Sequence, residues 1–364
     1  MAIGFELLAL NGRLRRGRFH TAHGTFETPC FAPVGTYATL KGLTPEQVRA
    51  TGAELILANS YHLHVRPGAE RIERLGGLHR FMGWDGPILT DSGGYQVFSL
   101  GRHVAIDDDG VTFRSVIDGS EHRCTPESVL GFQRKLGPDI AMVLDHCPAG
   151  DAAPALQRAA HERTLQWAAR ARDLHASWGG SARGQAVFGI CQGGVDPALR
   201  AASAQALAAM DFDGYAIGGL SVGETKQQMA VALDAAVDHL PQERIRYMMG
   251  VGMPEDLLAA TAAGVDMFDC VVPTRHGRNH QAFAPDGAVL KLRNAQYADD
   301  PNPLVDGCAC YCCRKYCRAY LRHLAVADEM LAGILLSIHN IHFLQDLMRA
   351  IRARAETAPA EECT

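Results

Sequence analysis

Three aspartates stand at the ends of apolar runs, in positions suited to acid–base or covalent chemistry. They occur in the segments ILTDSGGYQ (Asp91), IAMVLDHC (Asp145) and VDMFDCVVPTR (Asp269). An apolar run of about four to eight residues that stops at a carboxylate is typical of a buried parallel strand. The strand ends of a closed barrel meet at one rim, where the active site of such a barrel lies. The sequence therefore predicts that three acids from different strands share one site.

Each acid has a chemical and a structural interpretation. The carboxylate of Asp269 could attack an electrophilic sugar carbon, or it could cap the next helix or pair with Arg275. Asp91 precedes a Gly-Gly pair that permits close approach of a ligand, with Tyr95 as a stacking face; the alternative is a strand-end turn. Arg275 and Arg278 follow Asp269 closely and could hold a phosphate or a carboxylate.

Two further segments could bind a planar heterocycle. Asp145 and Gln192, the latter within GICQGG, could hydrogen-bond its edge. Gly218 and Gly219, within YAIGGLSVGE, would expose backbone groups to a base. Each of these features taken alone is more often structural.

Five cysteines between Cys308 and Cys317 indicate a metal site near the C-terminus. Tetrahedral zinc is commonly held by three thiolates and one imidazole, and His339 follows the cysteines on a helical pattern. The spacing leaves Cys312 and Cys317 as competing thiolates and His323 and His342 as competing imidazoles. Since no open coordination position is implied, a structural metal is expected rather than a catalytic one.

Composition narrows the class of protein. The chain has 364 residues, 47% of them hydrophobic, which is enough for one large domain and an appendage. The 11 cysteines are partly clustered and partly scattered, which suits metal binding and buried thiols rather than a disulfide framework. The sequence has neither a signal-peptide pattern nor an apolar run of about 18 residues, so a cytoplasmic protein with no membrane span is expected.

A net charge of −5 means that any nucleic-acid surface must be a local basic patch. A candidate patch is Arg314-Lys315 with Arg318 and Arg322, and the alternative is that these residues form an ordinary solvated helix face.

Alternating strand and helix signals predict an α/β fold. Helix starts are marked by Thr44-Pro45, Thr125-Pro126, Asp196-Pro197 and Met253-Pro254. Eight repeats favour a closed (β/α)8 barrel over an open doubly wound sheet. The predicted strands are 30–35, 54–59, 87–91, 140–145, 186–192, 215–219, 245–250 and 265–269.

Three regions depart from this alternation. Residues 1 to about 30 are predicted as antiparallel strands, and residues 92–124 as a β-hairpin inserted at the rim, with turns at Asp109-Gly110 and Asp118-Gly119. A single long helix is predicted from Ala319 to about Ala355. We expect a catalytic barrel over residues 1–300 and a zinc-binding subdomain with the C-terminal helix over residues 301–364.

The ordered motifs together resemble those of the bacterial tRNA-guanine transglycosylases, over nearly the whole chain. They are DSGGYQVFSL, GVTFRSVIDGS, QGG, GYAIGGLSVGE, YMMGVGMPEDL, MFDCVVPTRHGRN and C-x-C-x2-C with a distant histidine. The resemblance implies an irregular (β/α)8 barrel with a zinc subdomain. It also implies exchange of guanine at the wobble position of tRNAs with GUN anticodons for a 7-deazaguanine, by a homodimer in which the second subunit helps to hold the tRNA.

The resemblance also implies roles for individual residues. Asp269 would be the nucleophile on the ribose and Asp91 the general acid/base. Base binding would fall to Asp145, Gln192, Gly219 and the backbone of Leu220, with Tyr95 and Met249 sandwiching the base. Arg275 and Arg278 would serve the RNA, Glu224 would switch the Leu220 peptide between acceptor and donor, and one structural zinc per subunit would be bound by Cys308, Cys310, Cys313 and His339.

Other positions bear on the incoming base and on departures from the family pattern. Cys147 and Val222 resemble bacterial members, which insert 7-aminomethyl-7-deazaguanine rather than queuine. His146 stands where the family usually has glutamate, and His276 and His280 where small uncharged residues are common. Cys312 and Cys317 replace small hydroxyl residues. None of these changes removes an expected catalytic group.

Three other functions are compatible with parts of this sequence. A retaining glycoside hydrolase explains two carboxylates, but neither the cysteine cluster nor the Gly-Gly-Leu segment. A noncatalytic RNA-binding subunit of the same family would be expected to lack Asp269 or Asp91, and both are present. A DNA-modifying relative would differ in its nucleic-acid preference, which these motifs do not distinguish.

Overall fold

The computed structural model describes residues 3–100, 102–150 and 152–356. Its strands form one closed parallel barrel and three small antiparallel sheets. In chain order the strands are β1 (Gly4–Asn11), β2 (Leu14–Thr21), β3 (Gly24–Thr28), β4 (Cys30–Gly35), β5 (Ile56–Ala58), β6 (Ile88–Thr90), β7 (Arg102–Asp107), β8 (Gly110–Arg114), β9 (Glu121–Cys124), β10 (Ile140–Met142), β11 (Ala186–Cys191), β12 (Gly214–Ile217), β13 (Ile245–Met248), β14 (Met267–Cys270), β15 (Gln281–Phe283) and β16 (Val289–Lys291).

The helices mostly alternate with the barrel strands. They are α1 (Pro45–Ala50), α2 (Ser60–Val65), α3 (Ala69–Arg74), α4 (Gly77–Met82), α5 (Gly94–Leu100), α6 (Pro126–Leu136), α7 (Pro154–Ser177), α8 (Pro197–Ala209), α9 (Lys226–Val237), α10 (Pro254–Ala262), α11 (Val272–Arg278), α12 (Tyr311–Lys315), α13 (Arg318–Val326) and α14 (Met330–Glu356). Short 3-10 helices occupy Gly180–Arg183, Pro285–Gly287 and Ala295–Tyr297.

The predicted eight-stranded barrel is confirmed. Its strands pair in the order β4-β5-β6-β10-β11-β12-β13-β14, and β14 pairs with β4 to close the ring, with Met267 opposite Cys30. These strands are buried along their whole length, as expected for parallel strands that are covered by helices. Several are shorter than predicted, because an apolar run continues into the buried loop after the last ladder bond. For this reason Asp145 lies three residues beyond the end of β10.

The antiparallel additions were partly predicted. Strands β1, β2 and β3 form the expected N-terminal sheet, with a positive-φ glycine, Gly12, in its first turn. The insertion after β6 is larger than a hairpin, since α5 precedes a three-stranded sheet of β7, β8 and β9. Its third strand, Glu121–Cys124, is short and polar, which makes its strand pattern weak.

The predicted helix starts are also confirmed. Thr44 caps α1 in a reciprocal capping box with Gln47, and Thr125 caps α6 in the same way with Ser128. Asp196 accepts hydrogen bonds from two backbone N–H groups at the start of α8. These caps set the point at which each chain segment turns from the barrel rim into a covering helix.

The prediction of a single long helix near the C-terminus was wrong. Two helices, α13 and α14, are separated at residues 327–329, where Asp328 adopts a left-handed φ of 57°. Aspartate tolerates this conformation better than most residues, and neither glycine nor proline marks the break. The break lets α13 fold back to pack on α14, so that both helices share a small apolar core with Cys310 and Cys312.

Within the described ranges, all ten cysteines are free. A helix of sufficient length and hydrophobicity to cross a membrane is absent from the same ranges.

Candidate active site and metal centre

The carboxyl ends of the barrel strands bring the three predicted acids together. Asp91 directly follows β6, Asp145 lies in the loop after β10, and Asp269 is part of β14. All three are buried, with exposed fractions of 7%, 5% and 9%. They also lie close enough to interact, because the charges of Asp269 and Asp145 both raise the pKa of Asp91. The predicted convergence at one rim is therefore present in the fold.

The carboxylate of Asp269 is oriented by two donors. The hydroxyl of Tyr247 donates to Oδ1 over 2.6 Å, and the backbone N–H of Gly250 donates to the same oxygen over 2.9 Å. Burial raises the pKa of Asp269, and these two hydrogen bonds oppose that rise by favouring the anion. Oδ1 thus carries both donors, which leaves Oδ2 as the oxygen better placed to meet an electrophile.

Asp91 has a different environment. The backbone N–H of Ser60 donates to Oδ1 over 2.9 Å, and the side-chain amide of Asn59 donates to Oδ2. Burial, together with the charges of Asp269 and Asp145, raises the pKa of Asp91 to about 7, although the hydrogen bond from Ser60 lowers it. Near neutral pH this carboxyl group can therefore both give and take a proton, as a general acid/base must.

Asp145 is held rigidly by two side chains. The hydroxyl of Ser92 donates to Oδ1 over 2.8 Å, and the amide of Gln192 donates to Oδ2 over 2.7 Å. Burial raises the pKa of Asp145, and both hydrogen bonds lower it. Asp145 and Gln192 are thus joined by a hydrogen bond in the structure. The sequence predicted that these two residues bind the edge of one planar heterocycle.

The Gly-Gly-Leu loop after β12 lies beside this edge. A methyl group on Gly219 would lie 2.4 Å from Gln192 Oε1, so only glycine fits here, and its φ is +65°. Glu224 accepts the backbone N–H groups of Ser221 and Val222, the latter over 2.9 Å. Because Ser221 N–H belongs to the peptide that follows Leu220, the Leu220 carbonyl points away from Glu224.

The remaining predicted base-site residues lie on the same loops. Tyr95, at the start of α5, is 55% exposed, while Met249 is half-buried directly after β13. Cys147 is buried, and burial together with the charge of Asp145 raises the pKa of its thiol to about 12. Val222 lies within 3.0 Å of the position that a side chain on Gly150 would take, so the loops after β10 and β12 touch.

The predicted basic groups differ in their surroundings. Arg275 and Arg278 lie exposed on α11, directly after Asp269. In the C-terminal group, Arg318 donates to Asp300 and to the Leu304 carbonyl, so it is largely structural. In the same group, Arg322 donates to a backbone carbonyl, while Arg314 and Lys315 are exposed.

Sequence reasoning missed several residues of this site. Tyr247, Asn59 and Ser60 contact the two principal acids, and Arg200 contacts the glycine loops. Asn59 does end the predicted strand 54–59, but neither Tyr247 nor Arg200 stands at the end of an apolar run. The signal available for Tyr247 was weak: a tyrosine hydroxyl inside a fully buried strand requires a polar partner.

A Cys3His cluster forms the candidate metal centre. His339 Nδ1 lies 3.7, 3.5 and 3.3 Å from the sulfur atoms of Cys308, Cys310 and Cys313. A tetrahedral zinc ion with ordinary bond lengths separates its nitrogen and sulfur ligands by about 3.6 Å. His339 Nε2 lies 2.9 Å from the Phe283 carbonyl, which orients Nδ1 toward the thiols. The donor set fits a metal ion.

The structure also decides between the competing ligands. Cys312 is fully buried in the small apolar core, and His342 Nδ1 faces the Thr51 carbonyl instead. Cys308, Cys310, Cys313 and His339 alone form the four-residue group suited to metal binding among the described residues. This agrees with the predicted ligand set.

A second group of possible ligands, which the sequence did not predict, lies at the opposite end of the barrel. His23 Nδ1 and His79 Nε2 lie 2.9 and 3.1 Å from the two oxygens of Asp139. The two imidazole rings stack 3.6 Å apart with an interplanar angle of 18°. The lone pair of each ring nitrogen lies in the plane of its own imidazole ring. Because the two rings are stacked and nearly parallel, their lone pairs cannot point at one ion with nitrogen–metal distances of about 2.1 Å. We therefore interpret this group as a hydrogen-bonded bridge between chain segments.

Comparison with known proteins agrees with the fold and the site. A sequence model of the queuine tRNA-ribosyltransferase family matches residues 11–362. A queuine tRNA-ribosyltransferase of Novosphingobium aromaticivorans is 52% identical over 349 residues, covering 96% of this chain and 93% of the relative. Those of Desulforamulus reducens (52% identical, 93% and 90% covered) and Zymomonas mobilis (51%, 96% and 90%) are similarly close.

Proposed function

Because the chain belongs to the queuine tRNA-ribosyltransferase family and is thus a pentosyltransferase that acts on tRNA, we propose the following reaction. The enzyme exchanges guanine at the wobble position of tRNAs with GUN anticodons (those for Asp, Asn, His and Tyr) for 7-aminomethyl-7-deazaguanine, in queuosine biosynthesis. The observation that carries this proposal is the pairing of an oriented carboxylate, Asp269, with a proton-carrying one, Asp91, at the same rim.

The exchange proceeds in two displacements. In the first, Asp269 Oδ2 forms a bond to the anomeric carbon of the ribose, the bond from that carbon to the guanine breaks, and Asp91 gives its proton to the departing base. In the second, the Asp91 carboxylate takes a proton from the incoming base, which attacks the same carbon and releases Asp269 as a carboxylate. Two inversions preserve the sugar configuration and leave the phosphate chain intact.

The site supports this division of labour. Hydrogen bonds from Tyr247 and Gly250 stabilise the anionic form of Asp269, both as the free nucleophile and as it departs. Asp91 also has two donors, but burial and the charges of Asp269 and Asp145 raise its pKa to about 7, so both of its protonation states are populated. One acid is thus set for attack and the other for proton transfer.

Base recognition follows from matching donors with acceptors. The carboxylate of Asp145 accepts hydrogen bonds from the N1–H and the amino group of a guanine-like base, while the Gln192 amide and the Gly219 N–H donate to its 6-oxo group. Because Glu224 accepts a hydrogen bond from the Ser221 N–H, the Leu220 carbonyl points away from Glu224 and accepts a hydrogen bond from the aminomethyl substituent. Tyr95 and Met249 cover the two faces of the base, and Cys147 and Val222 shape the space around its substituent.

The tRNA must be held with its wobble nucleotide turned out of the stack. Arg275 and Arg278, exposed beside Asp269, bind the anticodon phosphates, and Arg314 and Lys315 add to the basic surface. A second subunit in a homodimer helps to hold the tRNA, and the enzyme works in the cytoplasm, where unmodified tRNA is found. We further propose that residues 1–300 form the catalytic unit, and residues 301–364 a subdomain organised by the metal.

That metal is proposed to be one structural zinc ion per subunit, held by Cys308, Cys310, Cys313 and His339. Three thiolates and one imidazole fill a tetrahedral shell, so the ion would stabilise the fold and leave no position for a substrate. The ion would tie the cysteine-containing segment to α14, which also packs against the barrel.

Incorporation of radiolabelled guanine into unmodified aspartate tRNA tests the proposal. The native protein should incorporate the label, whereas Asp269→Ala and the isosteric Asp269→Asn should not, although both should still bind tRNA. Full activity of either variant would contradict the nucleophile assignment. Release of free sugar from a simple glycoside, without incorporation, would favour a glycoside hydrolase, and modification of DNA instead of tRNA would favour a DNA-modifying enzyme.

A further inference from the structure

Arg200, on α8, is a fully buried arginine whose hydrogen bonds all run to two loops of the base site. Its Nε donates to the Gly194 carbonyl over 2.8 Å. Its Nη1 donates to the carbonyls of Cys191 and Gly218 over 2.9 and 2.7 Å, and its Nη2 to the Gly219 carbonyl over 3.2 Å. The side chain has no exposed surface. One guanidinium group thus joins the loops that follow β11 and β12.

The partners of Arg200 are unusual for a buried charge. Burial lowers its pKa, yet a guanidinium group stays charged in proteins. A buried cation is normally paired with a carboxylate, as Arg15 is with Asp266 over 2.9 Å at the other end of the barrel. The hydrogen bonds described for Arg200 run instead to neutral carbonyl groups. A purely structural link between two loops does not require a desolvated charge, so a role in the adjoining site is indicated.

Peptide geometry shows what the guanidinium group does to the glycine loop. In a trans peptide the carbonyl and the following N–H point in opposite directions. Since the Gly218 carbonyl points at Arg200, the Gly219 N–H points away from it. Gly219 itself lies between the two side chains, because a methyl group on it would be 2.4 Å from Gln192 Oε1 and 3.6 Å from Arg200 Nη2. The Gly219 N–H is therefore directed away from Arg200, in a residue that lies against the Gln192 side chain.

We propose that Arg200 is a positioning residue for base selection: it fixes the Gly218–Gly219 peptide so that the Gly219 N–H donates to the 6-oxo group of the base. The guanidinium group also polarises this peptide from its carbonyl end, which makes the N–H a stronger donor. Arg200 itself does not touch the base. The ligand feature that it selects is a carbonyl oxygen next to the ring N1–H, as in guanine and 7-deazaguanines. This role rests on the proposed function, because it assumes that the rim binds such a base.

The test compares the binding of two bases that differ in one atom. Guanine and 6-thioguanine share the N1–H and the 2-amino group, but sulfur is a weaker acceptor than oxygen. Dissociation constants for both bases are measured by calorimetry on the full-length, metal-loaded protein without tRNA. The native protein should prefer guanine by about tenfold, the factor for one good hydrogen bond. Arg200→Met should bind guanine about tenfold more weakly and lose most of this preference.

Two further variants separate positioning from folding. Arg200→Lys keeps the charge but cannot reach all four carbonyls, so its preference should fall between those of the native protein and Arg200→Met, and it decides the question if Arg200→Met does not fold. Arg15→Met removes an equally buried arginine from the far end of the barrel. It should lower the melting temperature while the preference for guanine stays unchanged.

The outcomes distinguish the two proposals. A native preference that persists in both Arg200 variants, or that falls equally in Arg15→Met, overturns the positioning role. Native protein that binds guanine with the expected preference but does not incorporate it into tRNA overturns the proposed reaction and leaves the Arg200 result to be judged on binding. Native protein that does not bind guanine overturns both.

Discussion

The Tyr247 hydroxyl donates a 2.6 Å hydrogen bond to Asp269 Oδ1, from one buried barrel strand to the next. Burial, together with the charge of Asp269, raises the pKa of Tyr247 well above its ordinary value, so the phenol remains a donor at any working pH. In return, its hydrogen bond favours the ionised form of Asp269. This contact therefore helps to keep the proposed nucleophile charged.

Tyr247→Phe should therefore slow formation of the proposed covalent enzyme–tRNA intermediate. A hydrogen bond to a charged group contributes about 1.5–3 kcal/mol, which corresponds to a loss of roughly ten- to hundredfold. The pKa of Asp269 should rise, so the fall in rate on the acid side should move to higher pH. Single-turnover adduct formation measured across pH checks both effects.

Tyr215→Phe is the matched control for this change. Tyr215 is a fully buried tyrosine on β12, the strand on the other side of β13, and its ring packs against Phe212. We expect its removal to leave the acid-side pH dependence unchanged. An unchanged profile in Tyr247→Phe would show that the hydrogen bond does not control the ionisation of Asp269.

The pKa of about 7 for Asp91 predicts a second pH effect. In the proposed reaction protonated Asp91 gives its proton to the departing guanine, so kcat/KM for tRNA should fall as the pH rises through about 7. Asn59→Ala removes a donor to the Asp91 carboxylate, which destabilises the anion and should move this fall to higher pH. Initial rates at limiting tRNA between mildly acidic and mildly alkaline pH provide the measurement.

Asn59 also caps α2, so its substitution has a structural cost that needs its own control. Thr44→Ala removes a comparable N-cap from α1, and each change should cost about 1 kcal/mol of stability. Thr44→Ala should leave the alkaline-side pH dependence where it is in the native protein. If both variants shift it equally, the effect reflects stability and not the protonation of Asp91.

The metal centre makes a prediction about composition. The native protein should contain about one zinc ion per chain, and Cys313→Ser should lose it along with much of the thermal stability. Cys312→Ser changes the adjacent, fully buried cysteine, which lies outside the ligand group, and should retain the metal. Elemental analysis after dialysis against a chelator checks this. Zinc retained by Cys313→Ser but lost by Cys312→Ser would reassign the ligand.

The bridge at the opposite end of the barrel predicts a pH-dependent stability. Although burial raises the pKa of Asp139, hydrogen bonds from His79 and His23 leave it below its ordinary value. The carboxylate thus contributes stability above about pH 4, the ordinary aspartate value, and this contribution is lost as the pH falls through the lowered pKa. Asp139→Asn should reduce the free energy of unfolding by about 1–3 kcal/mol at pH 7 and by less in acid.

Urea denaturation at several pH values measures this difference. Asp173→Asn, which alters an exposed ion pair with Arg172, serves as the control and should change stability by less than about 1 kcal/mol at any pH. A cost for Asp139→Asn that stays constant down to the lowest pH would mean that its charge does not stabilise the bridge.

The sequence by itself determined the barrel, because each strand is a short apolar run and several covering helices begin with a capping residue. It also determined which acids reach the rim, since the carboxyl ends of all parallel strands in a barrel lie at the same rim. The cysteine cluster was evident because thiols at such density are rare outside metal sites. These features are local: neighbours in the chain specify them.

Only the tertiary structure decided how those groups are arranged and charged. Tyr247 and Arg200 act on residues from other strands and loops, and their burial is set by packing that no local pattern records. The break at Asp328 likewise exists because α13 packs back against α14, not because of a helix-breaking residue. The different environments of Asp91 and Asp269 arise from donors brought from distant segments, and proton affinity depends on that three-dimensional surrounding.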